Sequence, residues 1–575
     1  MVWQLPVMFG GNRLQGRTLT AAIAFVSGVG FLLFGYDQGV MSGLLTEPEM
    51  ARQFPRIAQA GDIGNEDSAI QGVVVAIYEI GALLGSLFVL WKGDALGRRF
   101  SIFLGSIIMT VGAVIMTCSY SLGQFTAGRI ITGIGNGMNT STIPMWQSEL
   151  SKAHNRGLLV LIEGALIAGG IMISYWVDYG FYQIKDNSVQ WRFPIAFQAF
   201  FAIILFFGIL WLPESPRWLI KKGHKAEAAQ VLANLDSTTV DDPQVAIVVK
   251  QLEDSIVASE ELMGEFSYKE LLTNGPEQNL YRTIIAFTAQ AFQQLSGINL
   301  ITYYATTVFK SIQNDDTTAR LLAAGNGTEY FVASIFALFM IDTLGRRFLM
   351  MSTAFMMSVS MAILAGTVYV VNQPHEGTPA EAYVAAFFLY FFNTMFAFGW
   401  LGMTWLYPPE ITPIRIRAPA SAIATSSNWL FNFLIVMITP PSFANIGYQT
   451  YIIFAVLNMS FIPAIYCFAP ESKQRGLEEL DLIFAQAHEE GFWKASKFMT
   501  TACHLSLTKK YLTSEELDAE LALRFGSNRP DQKVTGLTEG EQEKAALEKD
   551  KNERSGGVTP EGNDTERAST HTGSS

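Results

Sequence analysis

Two side chains of opposite charge stand inside stretches that are otherwise apolar. Asp37 follows a glycine- and phenylalanine-rich run, and Arg129 precedes an Ile-Ile pair. A charge inside a membrane-length apolar segment costs at least ~2.5–3.5 kcal/mol, even on insertion scales. At ~1.5 Å rise per helical residue, the two reach similar depths. An acid and a base at matched depth can therefore neutralise each other. The chemistry on offer is proton binding. Desolvation favours the neutral acid, the arginine favours the ionised one, and a small movement decides which effect wins. A fixed structural ion pair is the alternative use. Glu79 and Glu163 are further acids in apolar stretches. Glu163 is a candidate for substrate contact or protonation, and Glu79 for a bond to a neighbouring helix.

A second group is neutral. Gln293, Gln294 and Asn299 fall near the middle of one apolar stretch, and Asn428 near the middle of another. Carboxamides both donate and accept, which suits a ligand rich in hydroxyls. Trp405, Trp429, Tyr303 and Tyr304 supply flat faces for the C–H surfaces of such a ligand. Amide bonding between helices is the competing use. Enzyme chemistry has no support: no nucleophile–base set, nucleotide loop or metal spacing is evident. The run Gly133-Ile134-Gly135-Asn136-Gly137 lies within an apolar stretch with no preceding strand, so it is not a phosphate loop. No cofactor, metal or nucleic acid is expected. Cys118, Cys467 and Cys503 lack paired spacing, and no histidine falls inside an expected span.

The elements that must hold these residues follow from composition. Half of the 575 residues are hydrophobic, 16% are charged, and mean hydropathy is +0.25. That excludes an ordinary soluble globule. Twelve stretches approach the ~20 residues needed to cross a bilayer. They are 19–45, 68–91, 100–118, 122–147, 157–179, 192–212, 281–310, 319–341, 347–371, 382–407, 416–439 and 447–469. The expected organisation is a cytoplasmic segment 1–18, a six-helix half 19–212 and a linker 213–280 with short helices. A second half, 281–470, and a cytoplasmic tail, 471–575, follow. The linker should hold an amphipathic helix over 225–235. The tail, polar beyond an initial helical part, should be largely disordered. No cleavable leader is expected before the first span. Lysine and arginine concentrate in alternate loops, which assigns both termini to the cytoplasm. The sequons at Asn139, Asn326 and Asn458 lie within expected spans and are discounted.

One charged loop occurs twice. Gly93-Asp94-Ala95-Leu96-Gly97-Arg98-Arg99-Phe100 returns as Asp342-Thr343-Leu344-Gly345-Arg346-Arg347-Phe348, with Asp94 and Asp342 248 positions apart. Two homologous membrane halves imply a carrier with a central site that opens to either side in turn.

These loops resemble the signature of the major facilitator superfamily. Pro213-Glu214-Ser215-Pro216-Arg217-Trp218-Leu219 and Gln293-Gln294-Leu295-Ser296-Gly297-Ile298-Asn299, with Gly128-Arg129, resemble its sugar porter family. Gly35-Tyr36-Asp37-Gln38-Gly39-Val40 and Val189-Gln190-Trp191-Arg192-Phe193-Pro194 are similar to fungal sugar transporters and to yeast-type glycerol/proton symporters. The resemblance implies an all-α membrane protein of twelve transmembrane helices in two pseudo-symmetric six-helix halves. It assigns proton coupling to Asp37 and Arg129. It assigns sugar contacts to Gln293, Gln294, Asn299, Trp405 and Asn428. Two positions depart from the hexose pattern: Gly164, after Glu163, replaces a Gln, and Tyr330 replaces an Asn. Asn326, one turn away from Tyr330, partly compensates. The changes leave a polyol open.

Loop charges form a third group. Glu149 with Arg156, and Glu410 with Arg417, occupy matching places in the two halves. With Asp94, Arg98, Arg99, Asp342, Arg346 and Arg347 they are expected to tie the halves together while the cytoplasmic gate is closed, the arginines also setting topology. Exposed pairs are worth only ~0–1 kcal/mol singly, but a network can bias a two-state equilibrium. The expectation is a multi-pass plasma-membrane importer of a monosaccharide (hexose or pentose) by proton symport, its partners being substrate, proton and lipid bilayer. Polyol symport, sugar uniport and a transporter-like nutrient sensor are the alternatives.

Overall fold

A computed structural model describes residues 14–58, 65–151, 156–264, 268–312, 315–371, 373, 379–473, 475, 477–494 and 497–509. It is almost entirely helical. The first half comprises α1 (Gly16–Leu44), the short α2 (Pro48–Gln53), α3 (Asn65–Leu96), α4 (Arg98–Thr117), α5 (Leu122–Leu150), α6 (Arg156–Tyr182) and α7 (Val189–Trp211). Three connecting helices follow: α8 (Pro216–Lys221), α9 (Lys225–Asp236) and α10 (Pro243–Gly264). The second half comprises α11 (Asn279–Leu295), α12 (Ile298–Lys310), α13 (Asp316–Leu344), α14 (Arg346–Val371), α15 (Pro379–Phe396), α16 (Met403–Ile411), α17 (Ile414–Ile446) and α18 (Gln449–Phe468).

The surface is inverted relative to a water-soluble protein. Phe25, Phe207, Phe336, Phe339 and Phe387 are exposed, while Asp37, Glu79, Arg129, Gln293 and Asn428 are buried. Backbone groups are satisfied within helices, as a hydrocarbon surrounding demands. Among the described residues, ten helical segments are long and apolar enough to cross a membrane. The chain is therefore a multi-pass membrane protein.

Two expected spans do not reach that standard, for a visible reason. The stretch 122–147 forms α5, whose buried residues include Arg129, Thr132, Asn136 and Asn139. The stretch 281–310 is broken rather than continuous. Gly297 takes φ +94°, a left-handed conformation, and separates α11 from α12. The freed Ser296 carbonyl accepts from Asn458 Nδ2 at 2.8 Å. The expected span 382–407 is also interrupted, by a π-helical turn at Ala397–Leu401 between α15 and α16.

Within the first half α1 packs on α6, and α5 on α3 and α4. Within the second, α11 packs on α17, and α14 on α15 and α18. The halves meet through α3 with α17, α6 with α13, and α1 with α12. Small residues set these approaches. A Cβ on Gly35 would fall 1.9 Å from the Ile167 carbonyl oxygen of α6, and one on Gly133 would fall 2.2 Å from that of Tyr78 on α3.

The segment after α18 has regular structure over its described residues. It forms α19 (Leu477–Glu490), a two-stranded ribbon of β1 (Trp493–Lys494) and β2 (Met499–Thr500), and α20 (Thr501–Thr508). Arg282 of α11 anchors it, pairing with Asp481 and lying 3.8 Å from the Phe484 ring centroid. The tail from residue 510, for which disorder was expected, lies outside the described residues.

Candidate substrate and proton site

α1 presents its Gly35–Gly39 edge to α6, which turns Asp37 toward α3. Asp37 is buried there, and Tyr78 donates its hydroxyl to Asp37 Oδ2 at 3.3 Å. Arg129 of α5 lies on the other side of the same tyrosine. Its guanidinium sits 4.9 Å from the Tyr78 ring centroid and donates to the Val75 carbonyl at 2.7 Å. The expected direct pairing of Asp37 with Arg129 is thus replaced by Tyr78, whose ring faces the base and whose hydroxyl faces the acid. Glu79, the next residue of α3, points across to the second half, where Tyr303 donates its hydroxyl to Glu79 Oε1.

The carboxamides come together on α11, α12 and α17. Asn428 Nδ2 donates to Gln290 Oε1 at 2.6 Å and to Gln293 Oε1 at 2.9 Å. Gln294 donates to Gln293 Oε1 at 3.4 Å. Asn299 donates to Gln294 Oε1 and, at 2.7 Å, to Asn432 Oδ1. Gln293 Nε2 also donates to the Trp400 and Leu401 carbonyls, at 3.1 and 3.3 Å. The π-helical turn frees those carbonyls from the regular helical ladder. The amides bond one another, so a hydroxyl that engaged them would exchange one set of hydrogen bonds for another.

The aromatic residues divide. Trp429 is buried and meets Phe34 of the first half edge-on, ring centroids 5.6 Å apart. Trp405 is half-buried on α16. Tyr304 donates to the Val436 carbonyl at 2.9 Å, so its hydroxyl bridges α12 and α17. Tyr330 is buried beside Phe396. Asn326 accepts from Asn393 at 2.7 Å. Glu163 is buried on α6 next to Gly164, where an added Cβ would lie 3.6 Å from Leu401. Gln290 and Asn432 join the amide set although the sequence reading passed over them. Their signal was spacing: Gln290 is three residues before Gln293 and Asn432 four after Asn428, each on the same helical face.

The repeated loops build two matching knots at one end of the molecule, the basic end. Arg98 forms a two-pronged pair with Glu149, at 3.0 and 3.1 Å. Arg346 does the same with Glu410, at 3.3 and 3.0 Å. Asp94 is held by Arg98 and, at 2.7 Å, by Lys221. Arg99 and Arg347 reach the carbonyls of Leu210 and Tyr466. These bonds each lie within one half, whereas the tie across the halves is expected for a closed cytoplasmic gate. Arg98 and Arg346 project from the starts of α4 and α14 toward α5 and α16 of the same half, which brings Glu149 and Glu410 within reach. Arg417 donates to the Thr412 carbonyl. The side chains of Arg156 and Asp342 lie outside the described residues. Two acids complete the knots. Glu214 accepts from the main-chain N–H groups of Arg98 and Arg99 (3.3 and 3.0 Å), and Glu471 from those of Arg346 and Arg347 (3.0 and 3.1 Å). A carboxylate there satisfies the free N–H groups of a helix start and meets its positive dipole end.

At the opposite end the halves touch directly. Ser42 meets Thr306 at 3.4 Å, and Tyr175 donates to the Thr302 carbonyl at 2.6 Å.

Comparison with known proteins agrees with this architecture. Residues 22–484 match the family described as sugar (and other) transporter. The chain is 41% identical over 483 residues to the sugar transporter STL1 of Saccharomyces cerevisiae, covering 83% of each. The inward-open xylose transporter XylE from E. coli matches with a TM-score of 0.66 at 25% identity, over 80% of this chain and 99% of that one. XylE as a proton:xylose symporter bound to 6-bromo-6-deoxy-D-glucose matches with a TM-score of 0.65 at 25% identity, over 81% and 99%. With two membrane-embedded halves around a buried polar centre and a family match over most of its length, the chain belongs to the sugar transporter family of the major facilitator superfamily.

Proposed function

We propose that this protein imports a monosaccharide across the plasma membrane by proton symport, with alternating access. The observation that carries the reading is Asp37, buried but kept from Arg129 by Tyr78. An acid locked to an arginine stays ionised. An acid whose hydrogen bond comes from a tyrosine hydroxyl, with the arginine acting on it only at a distance, can be satisfied by a proton instead. The carboxamide set supplies the sugar site, and the tie from Tyr303 to Glu79 connects it to the first half. The proton:xylose symporter among the structural neighbours supports the coupling.

In this reading the basic end faces the cytoplasm, by its lysine and arginine content, and α5 and the α11–α12 pair supply the remaining two of twelve crossings. The contacts at the opposite end then represent a closed outer gate. The paired arginines of the basic end set the inner gate by holding each half rigid. Substrate size has a second reading. Tyr330 places a buried ring beside Phe396, which narrows the site toward a polyol.

The test is uptake by cells lacking their own carriers, given a panel of labelled hexoses, pentoses and polyols while external pH is recorded. Substrate-dependent alkalinisation of the medium is expected. Flux without it would identify a uniporter, and no flux with any compound would reject the importer.

A further inference from the structure

A second acid–arginine cluster is buried between the halves at the end away from the basic loops. Glu47 stands just before α2, Asp178 near the end of α6 and Arg320 near the start of α13. The two acids belong to the first half and the arginine to the second. Their exposures are 0%, 2% and 2%. Arg320 donates to the Gly43 carbonyl at 3.0 Å and to Thr46 Oγ1 at 2.8 Å, and lies 4.0 Å from the Tyr182 ring centroid. It approaches Glu47 Oε1 only to 3.9 Å. Among the described residues no hydrogen bond reaches either oxygen of Glu47. Asp178 presses on α1, where a Cβ on Gly43 would fall 2.5 Å from Asp178 Oδ2.

The charges do not balance. Two carboxylates share one guanidinium in a site closed to water. Among the described residues no second cation is paired with either acid. Tyr36 donates to the Pro194 carbonyl and Tyr175 to that of Thr302, both neutral phenols. Gln190 of α7 donates to the Tyr182 carbonyl. Lys310 of α12 is paired with Asp316 at 2.8 Å, and Arg52 of α2 with Glu49 and Asp186. A buried charge without a counter-charge is avoided by taking up a proton.

We propose that Glu47, Asp178 and Arg320 form a second proton site, a latch that binds one proton when the halves close at this end and releases it when they part. On closure one acid oxygen gains an O–H bond, the proton coming from water on that side. One carboxylate and one guanidinium then remain as a neutral pair. On opening, Arg320 leaves with the second half, water enters and the proton returns to the same side. The latch therefore sets the balance between open and closed states without adding to the charge transported. Burial supports it, lifting the Glu47 carboxyl from 4.5 to about 8 against the opposing pull of Arg320. The sign follows: the closed state keeps its proton up to about 8, the hydrated open state only to about 4.5. Closure is fully favoured below the lower value and loses up to about tenfold per pH unit between the two.

The inference rests on the alternating-access reading, and one experiment separates the two. Spin labels are placed at Asn187→Cys and Thr317→Cys, exposed positions on opposite halves flanking the cluster. The chain also carries Cys118→Ser and Cys467→Ser, and is full-length in lipid nanodiscs. Distance distributions are read from pH 5 to pH 9, with and without xylose and glycerol. A short distance is expected at pH 5, with a longer one growing as pH rises. Glu47→Gln and Asp178→Asn should each hold the short distance throughout, while Asp37→Asn should keep the pH response. The same pH response in Glu47→Gln and Asp178→Asn as in the parent would overturn the latch. So would a parent that moves with substrate but not with pH. A distance fixed under every condition would overturn the latch together with the alternating-access reading.

Discussion

Tyr303 of α12 in the second half donates its hydroxyl to Glu79 of α3 in the first. Both side chains are fully buried, and the other Glu79 oxygen has no hydrogen-bond partner among the described residues. Removing the hydroxyl therefore strands an acid. That costs ~1–3 kcal/mol, or about five- to a hundredfold in the balance between states. Tyr303→Phe is expected to open the end opposite the basic loops more often. Glu79→Gln, which retains an acceptor, should do so less. Ser42→Cys, buried between the halves at that end, serves as the reporter. Its reaction with an impermeant thiol reagent should speed up in the Tyr303→Phe background. An unchanged rate would deny the bond a role in gating.

Asp37→Asn tests the proton site itself. The amide keeps the shape and the Tyr78 contact but cannot gain or lose a proton in the working range. Uphill accumulation should vanish, while exchange of labelled for unlabelled substrate should persist at a substantial rate. Undiminished accumulation with continued alkalinisation would remove Asp37 from the coupling step.

How much of this was readable beforehand depends on what each residue needs. The depths of Asp37 and Arg129 follow from counting along a helix, because rise per residue is fixed. Tyr78 between them does not follow, since it requires the rotation of α3 about its axis, which packing of Gly133 on Tyr78 sets. Gln293 and Asn428 could be singled out as amides in apolar surroundings, but their bonds to Gln290 and to the π-helical turn needed the backbone. Glu214 and Glu471 share the wording Pro-Glu-Ser, so their equivalence was in the sequence as a second repeat. Their function was not, because a carboxylate in a loop gives no sign of which helix start it will meet. The Glu47–Asp178–Arg320 cluster was invisible for a related reason. Its members sit at span ends, where charge is ordinary, and only assembly of the halves buries them.

Those two acids carry a stability prediction. Glu214→Ala and Glu471→Ala each leave two helix-start N–H groups without their acceptor, at a cost of about 1–2 kcal/mol by analogy with lost helix caps. Melting of the purified chain should fall in both, and by similar amounts if the knots are equivalent. Burial raises the Glu214 carboxyl above its ordinary value, outweighing the N–H bonds and Arg99. The folded state then holds that proton more tightly than the unfolded one. Its contribution is greatest below the ordinary carboxylate value and declines as pH rises through the raised one. Glu214→Gln should flatten that part of the pH–melting profile. A profile identical to wild type would show that Glu214 does not titrate there.

The amide set predicts affinity. Gln293→Ala removes a partner of Asn428, Gln294, Trp400 and Leu401 at once, and Asn428→Ala removes the partner of Gln290 and Gln293. Each lost bond to a desolvated hydroxyl costs ~1–3 kcal/mol. The half-saturating concentration should rise roughly five- to a hundredfold, with the maximal rate changed less. Initial uptake rates at matched surface expression give both numbers. Unaltered kinetics in both variants would move the substrate away from α11 and α17.

Coupling is decided by the size of accumulation. One proton moving through 100 mV releases ~2.3 kcal/mol. At ~1.36 kcal/mol per tenfold, that sustains about fiftyfold accumulation of a neutral substrate before any pH gradient is added. A uniporter reaches a ratio of one and stops. Cells expressing this chain should therefore concentrate a non-metabolised substrate well above the external level. The ratio should grow as the medium is acidified and collapse on adding a protonophore. If the inside-to-outside ratio stays at one across acidic and neutral media, symport is rejected. Asp37, Tyr78 and Arg129 would then be a structural tie between α1, α3 and α5, and facilitated diffusion through the same amide-lined site would remain.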